Sequence, residues 1–436
     1  MTFKANPEQG LQFLRYVRRF LPFWLRSYDR ADLRGDLVAG LTTAVMLVPQ
    51  GMAYALLAGL PPIAGLYAAT LPLVVYAFIG SSREVSIGPA AIDSMLTGAA
   101  VGALAVAGSA RYGELAILLA ALVAGAYMTM ALLRIGHLAT RIPHSVIAGF
   151  TSAAALIITA SQLGPLLGLQ LSRGTLFHTI AAAGRNAADV DLPTAAIGVG
   201  SIVLLVALRR WRPMFPRALA VVVLGSLAVW VTGADVAIVG SVPGGLPALA
   251  LPSGSMDDIL HLLPIAVTIA AIGFMEATSV ARAFARRRGY EIRPNTELWG
   301  LGLANAGAAL IGAFPVTGGL ARTAVNAQAG ARSGLAALIT ASAVALTLLF
   351  LTPLFYYLPR AVLASIIISA VVGLVDVAEV RHLYRHAPPQ LAVMATTFAA
   401  ILVAGISTGL LIGIGTAIAV ALATRLRSSQ MAIIRR

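Results

Sequence analysis

Long apolar runs alternate with short polar punctuation along almost the whole chain. A helix needs about 17 to 25 apolar residues, at a rise of about 1.5 Å each, to cross a hydrocarbon core. Fourteen candidate windows are read at approximately 37–57, 63–79, 89–105, 114–133, 144–165, 193–209, 217–233, 259–281, 297–312, 319–330, 333–351, 360–374, 390–405 and 407–424, several of them shorter than a full crossing. The pattern predicts an all-α membrane protein.

Two of the short windows, 89–105 and 319–330, follow strand-like stretches interrupted by glycine and proline: Val85 to Pro89 and Ala313 to Gly319. Such windows read as half-helices that start in mid-membrane. Irregular backbone at that depth is tolerated only where protein or a polar cavity satisfies it, so these breaks mark a candidate site. The breaks hold matching places, third of the first seven spans and third of the second seven. Because seven is odd, the second copy enters from the opposite side, and the repeat is inverted. Spacing agrees: Gln50 precedes Gly88 by 38 residues and Glu276 precedes Gly318 by 42.

Composition places the chain in lipid. It is 59% hydrophobic and 11% charged, with a mean hydropathy of +0.88. A net charge of +14 would suggest nucleic acid in a soluble protein, but here the cations cluster between the apolar runs. With both termini cytoplasmic, 26 of the 31 basic residues fall on the inside, Arg111, Arg173, Arg185 and Arg360 fall outside, and Arg322 alone lies within the membrane. There is no cysteine, which removes thiol chemistry and disulfides, and no cleavable signal segment is apparent.

The candidate chemistry sits at the two breaks. A helix N-terminus carries unpaired N–H groups and partial positive charge, so two converging ends form an anion cradle. Gly88 and Pro89 are expected to open one half-helix, and Gly318 and Gly319 the other. Arg322, in the first turn of the second, opposes that dipole and costs roughly 2.5 kcal/mol or more to bury. It reads either as a substrate-linked cation, which the adjacent break favours, or as a structural partner for a carbonyl or carboxylate. Glu276 can hydrogen-bond between helices, pair with Arg322, or take up a coupling proton. Asp93 has the same options, with helix packing ahead of proton coupling. Gln50 follows the helix-kinking Pro49 and can present its amide to the cavity. Tyr54, one turn on, would wall the site or simply pack. Gly405, Gly409 and Gly413 read as close helix packing.

Other chemistries find little support. Lys4 is the sole lysine, so a phosphate-binding loop is absent, and neither H-E-x-x-H nor G-x-S-x-G occurs. His382 and His386 share a helix face in a basic loop, where a solvated role outweighs a metal site. No enzyme signature and no cofactor motif is found.

The run from Leu33 to Thr42, continuing through Val48 to Ala55 and Gly59 to Tyr67, resembles the opening of the SulP (sulfate permease) family of anion transporters. Gly80 to Arg83, Ser86 to Ala90, Pro143 to Gly149 and Gly318 to Asn326 resemble the same family in order and spacing. The resemblance implies a seven-plus-seven inverted repeat. Spans 1–4 (35–133) and 8–11 (259–358) would form a mobile core, and spans 5–7 (134–258) and 12–14 (359–425) a gate, often in a homodimer. The anion would move by an elevator-like shift. It also implies site roles for Gln50, Tyr54, Ala90, Ala321 and Arg322. Ala90 replaces an aromatic found in animal members, and Ala321 stands where a serine often contacts the anion. A cytoplasmic segment is expected over 1–34 and a short tail over 426–436, without the STAS domain that usually follows.

The expected function is secondary active transport of a small inorganic or organic anion (sulfate, bicarbonate, chloride or dicarboxylate), by exchange or coupled to H+ or Na+. The expected setting is a bacterial plasma membrane, with lipid as the surrounding partner. Alternatives are a nucleobase permease of similar fold and a passive anion channel.

Overall fold

The computed structural model describes residues 22, 24–25, 28–139, 144–171, 175–212, 215–375 and 377–434, with backbone alone at 407 and 424–434. The first 21 residues of the expected N-terminal segment, Pro143 of the family-like motif, and Arg173 lie outside the described residues.

The chain forms fourteen helical spans. Span 1 is Leu33–Leu57; span 2 is Pro62–Tyr67 and Leu71–Ile79; span 3 is Ala91–Gly102; span 4 is Ala110–Leu132. Span 5 runs over His144–Ser161 and Leu163–Leu167, span 6 over Leu192–Trp211 and span 7 over Arg217–Thr232. The second half begins with Met256–Arg288 (span 8), Pro294–Leu310 (span 9) and Leu320–Gln328 (span 10). It continues with Leu335–Leu346 (span 11, extended by π and 3-10 turns to Phe355), Arg360–Val371 (span 12, extended to Leu374), Pro388–Ala404 (span 13) and Ile406–Ile434 (span 14). Among the described residues, eight helical stretches are long and apolar enough to cross a bilayer unaided.

Local chemistry sets many of these boundaries. Both pieces of span 2 and also spans 6, 9 and 13 start with proline in the first two helical positions, where its missing N–H costs no bond. Ser109 caps span 4, Asp191 caps span 6, and Ser255 and Asp258 form a capping box on span 8.

Spans 3 and 10 are half-helices, each led in by a two-residue strand. Strand β1 (Ile87–Gly88) pairs antiparallel with β2 (Thr317–Gly318), Ile87 opposite Gly318 and Gly88 opposite Thr317. This pairing puts the pseudo-twofold axis of the inverted repeat between the two breaks. A second pair of contacts repeats the relation. Asp36, at the start of span 1, accepts from the Arg332 and Ser333 backbone N–H groups (2.6 and 3.0 Å) leading into span 11. Asp258, at the start of span 8, accepts from the Arg111 guanidinium at the start of span 4 (2.5 Å). The first helix of each repeat is thus latched by its acid to the fourth helix of the other.

Spans 1–4 pack chiefly with spans 8–11, through the pairings of span 9 with 4 and 2, span 11 with 1, and span 8 with 4. Spans 5–7 associate with spans 12–14, through span 13 with 14 and 5, and span 6 with 12. Between lipid-soluble helices the hydrophobic effect supplies little drive, so close approach of small residues matters more. A methyl group on Gly65 would sit 1.9 Å from the Gly51 carbonyl oxygen, which fixes the crossing of spans 1 and 2. Gly409 and Gly413 lie against Ile401 and Thr397 of span 13, as expected. Gly405 instead departs from that reading: with φ of +84° and open space around it, it makes the turn between spans 13 and 14.

Gly65→Ala is expected to cost about 1–3 kcal/mol through overpacking. Gly113→Ala, where a methyl meets nothing within 4 Å, serves as the control. Thermal unfolding in detergent checks this, with a lowered midpoint expected for the first variant and an unchanged or slightly raised one for the second.

Candidate functional site

Breaking two helices in the membrane frees backbone donors and acceptors, and buried side chains take most of them up. Glu297 of span 9 accepts from the Ser81 N–H (2.6 Å), the Ser81 hydroxyl (2.7 Å), the Ser82 N–H (3.2 Å) and the Tyr76 hydroxyl (2.6 Å), fixing the approach to β1. Asn305 of the same span grips β2: its amide donates to the Val316 carbonyl (2.9 Å) and its oxygen accepts from the Val316 N–H (3.0 Å). The Asn326 amide donates to the Glu84 carbonyl (2.8 Å), and the Ser86 N–H donates to the Thr323 hydroxyl (3.2 Å). Outside the spans, Glu84 accepts from the Tyr290 hydroxyl and pairs with Arg288 (3.3 Å). Burial still pushes its carboxyl above the usual range.

The two half-helices begin slightly later than the sequence suggests. Gly88 and Gly318 are strand residues, and the helices start at Ala91 and Leu320 with Ala90 and Gly319 as N-caps. The reason is the strand pairing: Gly88 and Gly318 are held extended by their opposite residues, and Pro89 continues that extended path. Neither N-cap residue offers a side chain to the first turn of its helix.

Arg322 is only 1% exposed and bolts the two breaks together. Its Nε donates to the Ser86 carbonyl (3.1 Å), one terminal nitrogen to the Pro89 carbonyl (2.9 Å), and the other to the Thr317 carbonyl (3.2 Å). It thus takes the carbonyl-partner role considered above, and it forms no ion pair within 4 Å among the described residues. Of the options open to Glu276, pairing with Arg322 is not made. Three of the five guanidinium N–H donors are used, and the group still borders the cavity in front of it.

That cavity, of about 40 Å³, is where the structure brings together most of the expected site residues. Pro89 and Ala90 lead one helix tip into it, Gly319, Ala321 and Arg322 the other, and Gln50, Tyr54 and Glu276 complete its polar lining. The Gln50 amide donates to the Tyr54 hydroxyl (2.9 Å), leaving the Gln50 carbonyl oxygen without a partner. The Glu276 carboxylate accepts from the Leu320 N–H at the start of span 10. Gly88 and Gly318 do not line the cavity. Gly88 approaches the Arg322 guanidinium, and Gly318 packs against Val85 and Ala277. Asp93 lies behind it, fully buried and without the interhelical hydrogen bond that packing would require. Ala370, Val371 and Leu374 of span 12 supply a further wall, and nothing in their residue types singles them out.

A larger cavity of about 460 Å³ adjoins the first, sharing Gln50, Leu320, Ala321, Ala370 and Leu374 with it. It widens toward the face where span 1 begins, between Thr42 and Met46 on one side and Leu205, Phe215 and Ile366 on the other, with Arg209 and Arg217 at its rim. Away from the site, His382 and His386 stack with centroids 4.8 Å apart on an exposed helix. No group of three or more metal-type ligands occurs among the described residues.

Residues 33–397 match the family model described as the sulfate permease family. The chain is 40% identical over 401 residues to the chloroplastic sulfate transporter 4.1 of Arabidopsis thaliana, covering 89% of this chain and 58% of that protein. It is 36% identical over 389 residues to a probable sulfate transporter of Mycobacterium tuberculosis, covering 88% and 70%. The structure of the murine Solute Carrier 26 family member A9 anion transporter in its inward-facing state superposes with a TM-score of 0.87 at 25% identity, over 97% of this chain and 73% of that one.

Arg322→Lys is expected to destabilise the fold on the order of 3 kcal/mol, because an ammonium cannot hold three divergent carbonyls at once and each charge-assisted bond contributes about 1.5–3 kcal/mol. A thermal melt in detergent reads this directly. A midpoint equal to wild type would contradict the bolting role.

Proposed function

This chain belongs to the sulfate permease family, and on that premise we propose that it is a secondary active carrier of small anions, with sulfate the foremost candidate. The chain spans 58% of the length of the plant relative, so the proposal concerns the transport path alone. The observation that carries it is the pair of helix N-termini that face one cavity, neither of them capped by its own N-cap residue. Unpaired N–H groups in a site of low dielectric prefer an anion over a neutral solute. Arg322 adds a fixed positive charge beside them, and its unused N–H donors border the same space.

The names of both relatives favour sulfate, while Ala321 offers no hydroxyl to its oxygens. Bicarbonate, chloride and dicarboxylates therefore belong in the same assay. The polar lining holds few groups able to read the edge of a nucleobase, which ranks a nucleobase permease below an anion carrier.

The proposed movement is an elevator-like shift of spans 1–4 and 8–11, the core, against spans 5–7 and 12–14, the gate. The cavity lies where these groups meet: its tips belong to spans 3 and 10, and its far wall to span 12. With the start of span 1 cytoplasmic, as the basic residues favour, the larger cavity is an inward-facing vestibule whose rim arginines attract anions. Both termini then face the cytoplasm, and a bacterial plasma membrane is the proposed setting. Glu276 is the proposed coupling group, because its carboxylate shares the cavity with the anion and its charge opposes anion binding until it is protonated.

Purified protein in liposomes is expected to accumulate labelled sulfate, with saturation and acceleration by anion on the opposite side; a passive pore shows neither. Ala321→Phe, which fills the junction of the two cavities, should reduce uptake to that of empty liposomes without lowering the thermal midpoint. Uptake in that variant at the wild-type rate would remove the cavity from the transport path. Glu276→Gln is expected to keep anion exchange and to lose acceleration by an inward proton gradient. Persistent pH-driven uptake would reject Glu276 as the coupling group.

A further inference from the structure

Asp93 takes no part in the cavity lining, yet it is placed where its charge matters most. It stands in the first turn of span 3, at 0% exposure, and neither carboxylate oxygen has a hydrogen-bond partner. An ionised carboxylate in a membrane interior needs donors or a counter-ion close by, and neither Asp93 oxygen has a donor in this arrangement.

Two hydroxyls of the same half-helix, Ser94 and Thr97, likewise lack hydrogen-bond partners, and the Tyr127 hydroxyl of span 4 has the Thr317 hydroxyl as its neighbour. The Tyr127 hydroxyl lies within 2.5 Å of where a side chain at Gly273 would begin, next to the Thr317 hydroxyl at 2.7 Å; a residue larger than glycine at 273 would close this space. Buried orphan polar atoms in such number point to an exchangeable occupant.

The charged and titratable groups that face Asp93 are few. Span 8 presents Glu276, span 10 presents Arg322 and span 4 presents Tyr127. Span 1 presents Tyr54, which stands between Gln50 and Arg322. Span 5 contributes no ionisable side chain beyond His144, at its exposed start.

We propose that Asp93 is a second proton-binding group of the carrier, and that its proton and the transported anion bind together. The inference rests on the anion-carrier reading. With Asp93 and Glu276 both ionised, the side chains around the two helix tips carry one more negative than positive charge, and an anion is repelled. One proton brings them to balance, and a second leaves Arg322 unopposed. An ionised Asp93 would also occupy the favourable end of the span 3 dipole, the same end that the anion uses. Each proton taken up therefore strengthens anion binding, and by reciprocity each anion bound raises proton affinity. A sodium ion suits this place less well. Asp93 is the free acid at hand, because the Tyr127 hydroxyl neighbours that of Thr317 and the Thr317 hydroxyl already donates to the Gly273 carbonyl at 3.1 Å, and a hard cation seeks several oxygens at once.

The test is sulfate affinity of the purified chain from pH 5 to 8 without sodium, for wild type, Asp93→Asn and Glu276→Gln, together with protons taken up per sulfate in liposomes. Wild-type affinity should strengthen as pH falls. Asp93→Asn should bind sulfate more tightly than wild type at the alkaline end, with a slope of log affinity against pH shallower by up to about one, and should take up one proton fewer per sulfate. Asp93→Ser gives the same comparison should the asparagine variant fold poorly. An unchanged slope and proton count in both Asp93 variants overturns the inference while leaving anion transport in place. So does a sodium requirement that disappears with Asp93. Wild-type protein that binds no sulfate, bicarbonate, chloride or dicarboxylate at any pH sinks the carrier reading, and this inference with it.

Discussion

The structure depends on closing the backbone where two helices stop halfway through a membrane. Each N–H or C=O left unpaired at that depth costs several kcal/mol, and water is not available to share it. The protein meets this with one short antiparallel pairing, Ile87 with Gly318 and Gly88 with Thr317, and with side chains of span 9 on either flank. Glu297 serves the approach to β1 and Asn305 serves β2. Left without a cap from their own N-cap residues are the groups that a helix cannot satisfy internally, the leading N–H groups of spans 3 and 10. They are directed to the same small space.

Arg322 shows how stability and chemistry are joined in this arrangement. Burying a guanidinium in a membrane costs roughly 2.5–3.5 kcal/mol, and three carbonyl acceptors from two different breaks offset that cost. Two of those acceptors, Ser86 and Pro89, belong to the first repeat, and the third, Thr317, belongs to the second. The positive charge beside the cavity is therefore the same group that holds the repeats in register. The arginine cannot be exchanged for another cation without loosening the strands, which ties the charge of the site to the integrity of the fold.

Much of this was legible in the sequence because lipid imposes simple rules. Span lengths follow from hydrocarbon thickness, and the breaks announced themselves through glycine and proline in otherwise apolar runs. The cation count gave an orientation without any structure. Less legible were features that depend on three-dimensional partners. The half-helix starts lay three residues beyond Gly88 and two beyond Gly318, because the strand pairing that holds those glycines extended joins residues far apart in the chain, Ile87 with Gly318 and Gly88 with Thr317. Ala370, Val371 and Leu374 line the cavity but are ordinary span residues by type. Glu297 sits near the start of a span, where an acid is unremarkable, and its four donors come from distant parts of the chain. Gly405 matched a packing spacing with Gly409 and Gly413, and only its backbone angle shows that it makes a turn. For Arg322 and Glu276 the sequence left a choice of partners, and only the coordinates place carbonyls where a carboxylate had been considered.

The two helix groups are also held together by different kinds of force. Within spans 1–4 and 8–11, directional bonds dominate: the Asp36 and Asp258 latches, the Glu297 clamp, and the guanidinium bolt. Such bonds have fixed geometry, and they favour movement of the group as one body. At the boundary with span 12, the facing side chains are Ile366, Ala370 and Leu374 on one side and Leu320, Ala324 and Val325 on the other. Apolar contacts of this kind have no preferred register, and lipid tails or a shifted neighbour can replace them at small cost. A rigid group that carries the two helix tips, set against a wall without directional bonds, is the mechanical condition that the proposed elevator-like shift requires. In that proposal the placement of the charged groups matters: a bond from Arg322 or Glu276 to span 12 would have to break in every shift.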